Sequence, residues 1–361
     1  MPGRVALCLA ATVLSHTPDD LLDDFIAGLP KTELHVHLVG SASAATVLEL
    51  ARRHPDGGVP TEPEALNEFY RFTDFAHFID VYIGVSALVR TVADLEAMTI
   101  GVLGEIAAQR VRYVELTVTP DTHLMAGIAP DGIAEAFASA RDAAGERFGL
   151  EVGWVHDIPG ENGVASGERT IAWVEQWAPE GSVGFGLGGP EIGVARPQFA
   201  DVFARARALG LHSVPHAGET TGPQTIRDAI NFLGAERVGH GIAAAQDATL
   251  MAELVDRGIV LEVCPTSNLR TRAVSRLDQH PWHALVAAGV TVTLNSDDPG
   301  MFDTTLGREY RLAHDAFGVS PHGLADLART ATSASFAPEA TRNRVLAEID
   351  GYVSRHPLTA R

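Results

Sequence analysis

Eight short apolar segments alternate with helical patterns along this chain of 361 residues. Such alternation predicts parallel strands joined by crossover helices, and eight strands are the number that closes a (β/α)8 TIM barrel. We therefore expect an α/β fold of this class. The predicted strands are Lys31–Gly40, Val111–Thr119, Glu151–Pro159, Val183–Gly189, His212–Glu219, Arg237–Gly241, Ile259–Pro265 and Val290–Pro299.

Helical patterns outside the alternation predict additions to the barrel. Extra helices are expected after the first strand, up to Gln109, and again over Leu306–Val353. Without a linker or an internal repeat, residues 19–361 read as a single domain preceded by an extension, residues 1–18. That extension includes an apolar run of ten residues, Val5–Leu14, which is too short to span a bilayer and lacks a clear cleavage site. The sequence therefore favours a cytoplasmic enzyme.

The net charge narrows the possible partners. The chain has 46 acidic and 27 basic residues, which gives a formal charge of −19. Nucleic acids and anionic membranes are bound through basic patches, so neither is an expected partner. A neutral or cationic small molecule is easier to accommodate. Only two cysteines are present, so no disulfide framework is implied.

Polar side chains gather where four of the predicted strands end. Active sites of barrels of this class lie at the carboxyl ends of the strands, so these side chains are expected to meet on one face. If each were only a solvent-facing loop residue, seven polar side chains would not be expected at the same ends of four strands. They are His35, His37, His216, Glu219, His240, Asp297 and Asp298.

His35 and His37 are two residues apart in the first strand, so both imidazoles project to the same side. By themselves they could equally face solvent or be satisfied core residues. Three imidazoles and one carboxylate, however, suit zinc or a similar divalent ion with a position left for water. Such an ion lowers the pKa of its bound water toward ~7. We predict His35, His37, His216 and Asp297 as the ligands.

The remaining polar residues can supply the rest of the chemistry. Glu219 follows His216 by three residues across a glycine-containing turn, so it can face the cavity as a proton donor. His240 could orient the attacking water or take its proton. Asp298 is free to form a hydrogen bond with the substrate.

Taken together, these motifs resemble the adenosine deaminase family of zinc aminohydrolases. The resemblance extends in order from about Asp19 to the C-terminal helices. Its matching pieces are HVH at 35–37, HAGE at 216–219, GHG at 239–241, CPTSN at 264–268 and NSDDP at 295–299.

The resemblance implies one Zn²⁺, a purine nucleoside substrate and water as the second reactant. It further implies that Glu219 protonates purine N1, that His240 positions the water attacking C6, and that Asp298 bonds N7. The backbone N–H of Gly189 would meet N3. The products would be ammonia and an inosine-type nucleoside.

Two positions depart from the family pattern. Family members that act on adenosine carry an acidic residue two positions after the second histidine, where it holds the ribose 5′-hydroxyl; here Val39 occupies that position. Valine accepts no hydrogen bond, and sites built to bind a hydroxyl discriminate sharply. Pro190 replaces the usual Asp after Gly189, which stiffens the turn.

The main functional prediction is deamination of adenosine or of a 5′-modified relative. The alternative is 6-amino-6-deoxyfutalosine, a nucleoside of menaquinone biosynthesis with an aromatic acid on its 5′ side, and adenine is a lesser candidate. A hydrolase of another bond is disfavoured, because no strand end offers the lysine that bridges two metals in related barrels. A non-catalytic barrel would not need Glu219, His240 and Asp298.

Overall fold

The computed structural model describes residues 17–360, so the apolar run Val5–Leu14 and most of the predicted extension lie outside the described residues. Eight parallel strands follow one another around the sheet in sequence order. This confirms the (β/α)8 barrel predicted from the sequence. The strands are β1 (Lys31–His37), β2 (Val111–Val118), β3 (Glu151–Pro159), β4 (Ser182–Gly188), β5 (His212–Ala217), β6 (Arg237–His240), β7 (Val260–Val263) and β8 (Val292–Leu294).

Helices surround the sheet, and the prolines at the start of many of them explain where they begin, since proline suits the first turn. The first eight are α1 (Pro18–Gly28), α2 (Ala44–Arg53), α3 (Pro63–Phe69), α4 (Phe75–Ser86), α5 (Val92–Ala108), α6 (Pro120–Met125), α7 (Pro130–Phe148) and α8 (Gly163–Trp177). The others are α9 (Ala200–Ala208), α10 (Pro223–Asp228), α11 (Ala248–Arg257), α12 (Pro265–Arg270), α13 (Trp282–Ala287), α14 (Pro299–Phe302), α15 (Leu306–Phe317), α16 (Pro321–Ala334) and α17 (Glu339–Val353).

Extra helices lie where the sequence predicts them: α2 to α5 separate β1 from β2, and α15 to α17 follow β8. The helix α16 packs against β1 and β8 and covers the place where the barrel closes. Short 3₁₀ turns cover Gly160–Asn162, Arg196–Phe199, Ile242–Gln246 and Leu277–Gln279, and Ala229–Leu233 forms one π-helical turn. Within the described residues, no helix is long and apolar enough to cross a bilayer.

The barrel closes between its first and last strands through few contacts. β8 ends at Leu294, five residues before the predicted end of the strand. The Asn295 side chain accepts the Leu34 N–H at 3.1 Å, in place of a backbone carbonyl. Beyond it, a single bridge joins Val36 to Asp297, whose φ of +65° turns the chain away. The loop that carries Asp297 is therefore tied directly to β1.

Candidate active site

A cavity of about 350 Å³ opens at the carboxyl ends of the strands. Of the nine site residues predicted from the sequence, only His35 and Val39 do not line it. His35 lies deeper, beneath the cavity, and Val39 lies behind one wall. Those that line it are His37, Gly189, His216, Glu219, His240, Asp297 and Asp298.

At the floor of the cavity, four buried side chains present their ligand atoms within 4.8 Å of one another: His35, His216, His240 and Asp297. His37 adjoins the same group, with Nε2 3.1 Å from His216 Nε2 and 3.2 Å from Asp297 Oδ1. The structure thus brings together the four predicted ligands and adds His240 beside them. A buried cluster of imidazoles and carboxylate is a suitable donor set for a divalent metal ion.

Two nitrogens of this cluster are buried without a hydrogen-bond partner, His35 Nε2 and His216 Nδ1. The other nitrogen of His35, Nδ1, lies 2.9 Å from Glu262 Oε2. A carboxylate at that distance fixes the proton on Nδ1 and leaves the lone pair of Nε2 for an ion. The lone pair of His35 Nε2, 3.3 Å from Asp297 Oδ1, therefore fits a bound metal better than a closed hydrogen-bond network.

Glu262 was missed by the sequence reasoning, although a charge in the middle of the apolar segment VLEV signals it. Its other oxygen accepts from Arg237 Nε at 2.6 Å, and Arg237 also pairs with Glu115. Burial opposes ionisation of Glu262, but Arg237 and His35 outweigh it and lower the pKa of this carboxyl. An ionised Glu262 can then hold the His35 ring in one orientation.

Glu219 is poised as an acid. Its side chain is 7% exposed and accepts a hydrogen bond from the Thr271 hydroxyl at 3.0 Å. Burial, together with the charges of Asp297 and Glu191, raises the pKa of Glu219 to about 8. The carboxyl is consequently protonated at neutral pH and able to donate its proton.

His240 faces Glu219 and Asp297, with Nε2 3.7 Å from a carboxyl oxygen of each. The Asn268 amide nitrogen donates to His240 Nδ1 at 3.2 Å, which leaves the proton of the neutral ring on Nε2. Burial lowers the pKa of His240 to about 3, so the ring is neutral. Its Nε2–H is thus directed into the cavity as a hydrogen-bond donor.

Asp298 packs against Gly40. A side chain at position 40 would collide with the Asp298 carboxyl, which explains the glycine. Asp298 Oδ1 is buried without a partner. Burial and the neighbouring charge of Asp297 raise the pKa of Asp298, so its carboxyl can donate as well as accept.

The loop after β5 is fixed by Glu191, a second residue that the sequence reasoning missed. Its carboxylate accepts the backbone N–H groups of Glu219, Thr220 and Thr221 at 3.0–3.3 Å. Arg196, 3.7 Å away, donates to the His216 carbonyl. The pair therefore holds both predicted residues of the HAGE motif from behind.

Gly189 and Val39 occupy different surroundings. Gly189 lines the cavity with φ +76°, and a side chain there would collide with Glu161. Val39 is buried and borders a pocket of about 10 Å³ behind the wall formed by Tyr82 and Ser86. These two wall residues also line the main cavity, so Val39 lies one side chain away from it.

The rim of the cavity is apolar and comes from α4 and α6. Phe75, Phe78 and Ile83 of α4 line it, while Phe69 and Phe72 pack against the core. Ile83 is 51% exposed, and Met125 of α6 is 67% exposed. Large apolar side chains at the mouth of a pocket are a surface for an apolar ligand group.

Comparison with known proteins decides the family. The family model described as adenosine deaminase matches residues 30–352. The chain belongs to the adenosine deaminase family. It is 55% identical to the aminodeoxyfutalosine deaminase of Streptomyces coelicolor, over 92% of this chain and 87% of that relative.

Two further members of the adenosine deaminase family extend the comparison. The adenine deaminase of Cupriavidus metallidurans is 35% identical over 95% of this chain and 97% of its own. The crystal structure of adenine deaminase from Arthrobacter aurescens superposes with a TM-score of 0.86 at 30% identity, over 90% of this chain and 99% of that one. The chain is thus a deaminase acting on an adenine-type substrate, as the motifs predict.

Proposed function

We propose that this protein hydrolytically deaminates 6-amino-6-deoxyfutalosine, the alternative raised by Val39, in preference to adenosine. The observation that carries the proposal is the 55% identity to the aminodeoxyfutalosine deaminase of Streptomyces coelicolor across 92% of the chain. The adenine deaminases are less similar, at 35% identity for the one from Cupriavidus metallidurans. The nucleoside thus ranks above the free base.

The shape of the cavity supports the same choice. The proposed reaction occurs at the floor, so the 5′ side of a nucleoside extends toward the rim. There Ile83 and Met125 offer apolar contact to an aromatic group. Val39 supplies no acceptor for a 5′-hydroxyl, whereas a nucleoside with a carbon substituent at that end does not require one.

We infer that one Zn²⁺ is bound by His35, His37, His216 and Asp297. His240 is left out because its Nδ1 accepts from Asn268 and its Nε2 carries the proton, so neither nitrogen offers a lone pair. His37 Nε2, in contrast, lies beside His216 Nε2 and Asp297 Oδ1. When bound, such an ion lowers the pKa of a coordinated water to about 7.

The side chains around the purine have separate roles in the reaction. Protonated Glu219 transfers its proton to N1, which makes C6 electrophilic, and Asp298 bonds N7. The N–H of Gly189 meets N3 and fixes the ring in the plane. His240 donates from Nε2 to the oxygen that attacks C6 and so orients it. One proton of the attacking water restores Glu219 and the other converts the amino group into ammonia, which leaves from the tetrahedral carbon, so that the 6-oxo product remains.

The test is ammonia release measured side by side with four substrates: 6-amino-6-deoxyfutalosine, 5′-deoxyadenosine, adenosine and adenine. We expect kcat/KM to fall in that order. The highest kcat/KM with adenosine would show that position 39 does not govern the choice. The highest value with adenine would identify an adenine deaminase instead.

A further inference from the structure

Asp157, on β3, is a buried carboxylate for which the reaction described above has no use. It lines the main cavity and is 5% exposed. Its Oδ1 is buried without a hydrogen-bond partner, and neither oxygen receives a hydrogen bond from the described residues. Leaving a buried acceptor unsatisfied is costly, more so when it is charged. Such a group facing a cavity is suited to accept a hydrogen bond from a bound ligand.

The neighbouring strand is built to leave room for this carboxyl. Asp157 pairs in register with Gly186, and Gly188 lies two residues further along β4. A side chain at Gly186 would approach Asp157 Oδ1 to 2.6 Å, and one at Gly188 would approach Oδ2 to 2.5 Å. The glycines of VGFGLGG therefore allow the carboxyl to stay against β4, directly before Gly189.

This position identifies the part of the substrate that the carboxyl meets, given the proposed function. Gly189 is assigned to purine N3, and N3 lies on the same edge of the ring as N9, where the ribose is attached. In a nucleoside, N1, N3 and N7 are acceptors and N9 carries the ribose in place of hydrogen, so none of these ring nitrogens can donate to a carboxylate. The 2′- and 3′-hydroxyls of the ribose are donors, and carboxylates bind ribose hydroxyls in nucleotide-binding proteins.

We propose that Asp157 binds the ribose diol of the substrate and so selects nucleosides over the free base. The inference rests on the proposed function, because it needs a ribose in the cavity. It makes Asp157 a binding residue that sets specificity and leaves proton transfer to Glu219.

The experiment compares kcat/KM for each variant with each substrate. Wild-type protein, Asp157→Ala and Asp157→Asn are assayed with adenosine, 2′-deoxyadenosine, 3′-deoxyadenosine and adenine, with exposed Asp142→Asn as the control. Hydrogen bonds to a charged group predict that Asp157→Ala lowers kcat/KM for adenosine roughly 10- to 100-fold. The kcat/KM of Asp157→Ala for at least one of the deoxynucleosides should stay near the wild-type value. For adenosine, the kcat/KM of Asp157→Asn should lie between those of wild type and Asp157→Ala.

Thermal unfolding without substrate separates binding from structure. Because the carboxylate has no partner, Asp157→Asn should unfold at the same temperature as wild type or higher, whereas a residue that held the fold would lower it. An equal loss with all nucleosides, or a lower unfolding temperature, would overturn the role of Asp157 and leave the proposed function standing. Turnover of adenine alone by wild type would overturn both.

Discussion

Glu219 at the floor of the cavity has a 7% exposed side chain and a hydrogen bond from Thr271, whereas Met125 at the rim exposes 67% of its surface. The same contrast holds for their neighbours. Other floor residues are also fixed by a buried group, as His35 is by Glu262 and His240 by Asn268. The rim is helical, apolar and partly exposed.

Substitutions in the two regions are therefore expected to have different effects on stability. Replacing a floor residue that is fixed in this way leaves its buried partner unsatisfied, which costs about 1–3 kcal/mol or more for a charged group. A rim residue can be replaced at little cost to stability, because it is already in contact with water. We therefore expect the floor to determine the reaction, Asp157 to select for the ribose, and the rim to discriminate among nucleosides by their 5′ group.

The largest effect is expected from Glu219→Gln, which removes the acid at the floor. Loss of a positioned proton donor predicts a fall in kcat of about 10²- to 10⁴-fold. The bound metal should stay near one equivalent by elemental analysis, and exposed Glu180→Gln should behave as wild type. Loss of the metal in Glu219→Gln would instead make this residue a ligand.

A smaller effect is expected from Glu262→Gln, which loosens a predicted ligand without touching the substrate. Loss of such an outer partner weakens metal binding about 10- to 100-fold, measurable by competition with a chromophoric chelator. Glu115→Gln is the matched control, because Glu115 pairs with Arg237 but makes no contact with His35. Equal weakening in both variants would attribute the effect to Arg237.

At the rim, the double variant Ile83→Ser with Met125→Ser should lower kcat/KM for 6-amino-6-deoxyfutalosine by about 10-fold, the order of magnitude for losing apolar contacts. The value for 5′-deoxyadenosine should not change. Val286→Ser, exposed to a similar degree on α13, serves as the control. Equal losses with both nucleosides would place the 5′ group elsewhere.

The smallest effect is expected from Val39→Asp. It should raise the ratio of kcat/KM for adenosine over 5′-deoxyadenosine a few-fold, because a carboxylate one side chain away from the cavity can accept from a 5′-hydroxyl. The wall of Tyr82 and Ser86 limits the gain. An unchanged ratio would show that position 39 does not reach the 5′ end.

Sequence reasoning predicted the barrel and the side chains at its floor, because alternating strand and helix patterns and polar residues at strand ends are local signals. Its prediction for β8 began two residues too early and ended five residues too late, the latter because the polar run after Leu294 continues as a loop with a left-handed residue at Asp297. Asp157 was not predicted as a site residue, for a different reason. Its lack of a partner appears only when β3 and β4 are side by side.

The bridge between Val36 and Asp297 has a consequence for how the protein matures. The Asp297 backbone bonds both His35 and His37, so the residue that completes the proposed metal site also closes the barrel. During synthesis, β1 emerges some 260 residues before its last partner, counted from Val36 to Asp297. With the proposed ligand set, the complete site forms only after nearly the whole chain has been translated, and a fragment ending before Asp297 carries three of the four proposed ligands without a closed barrel.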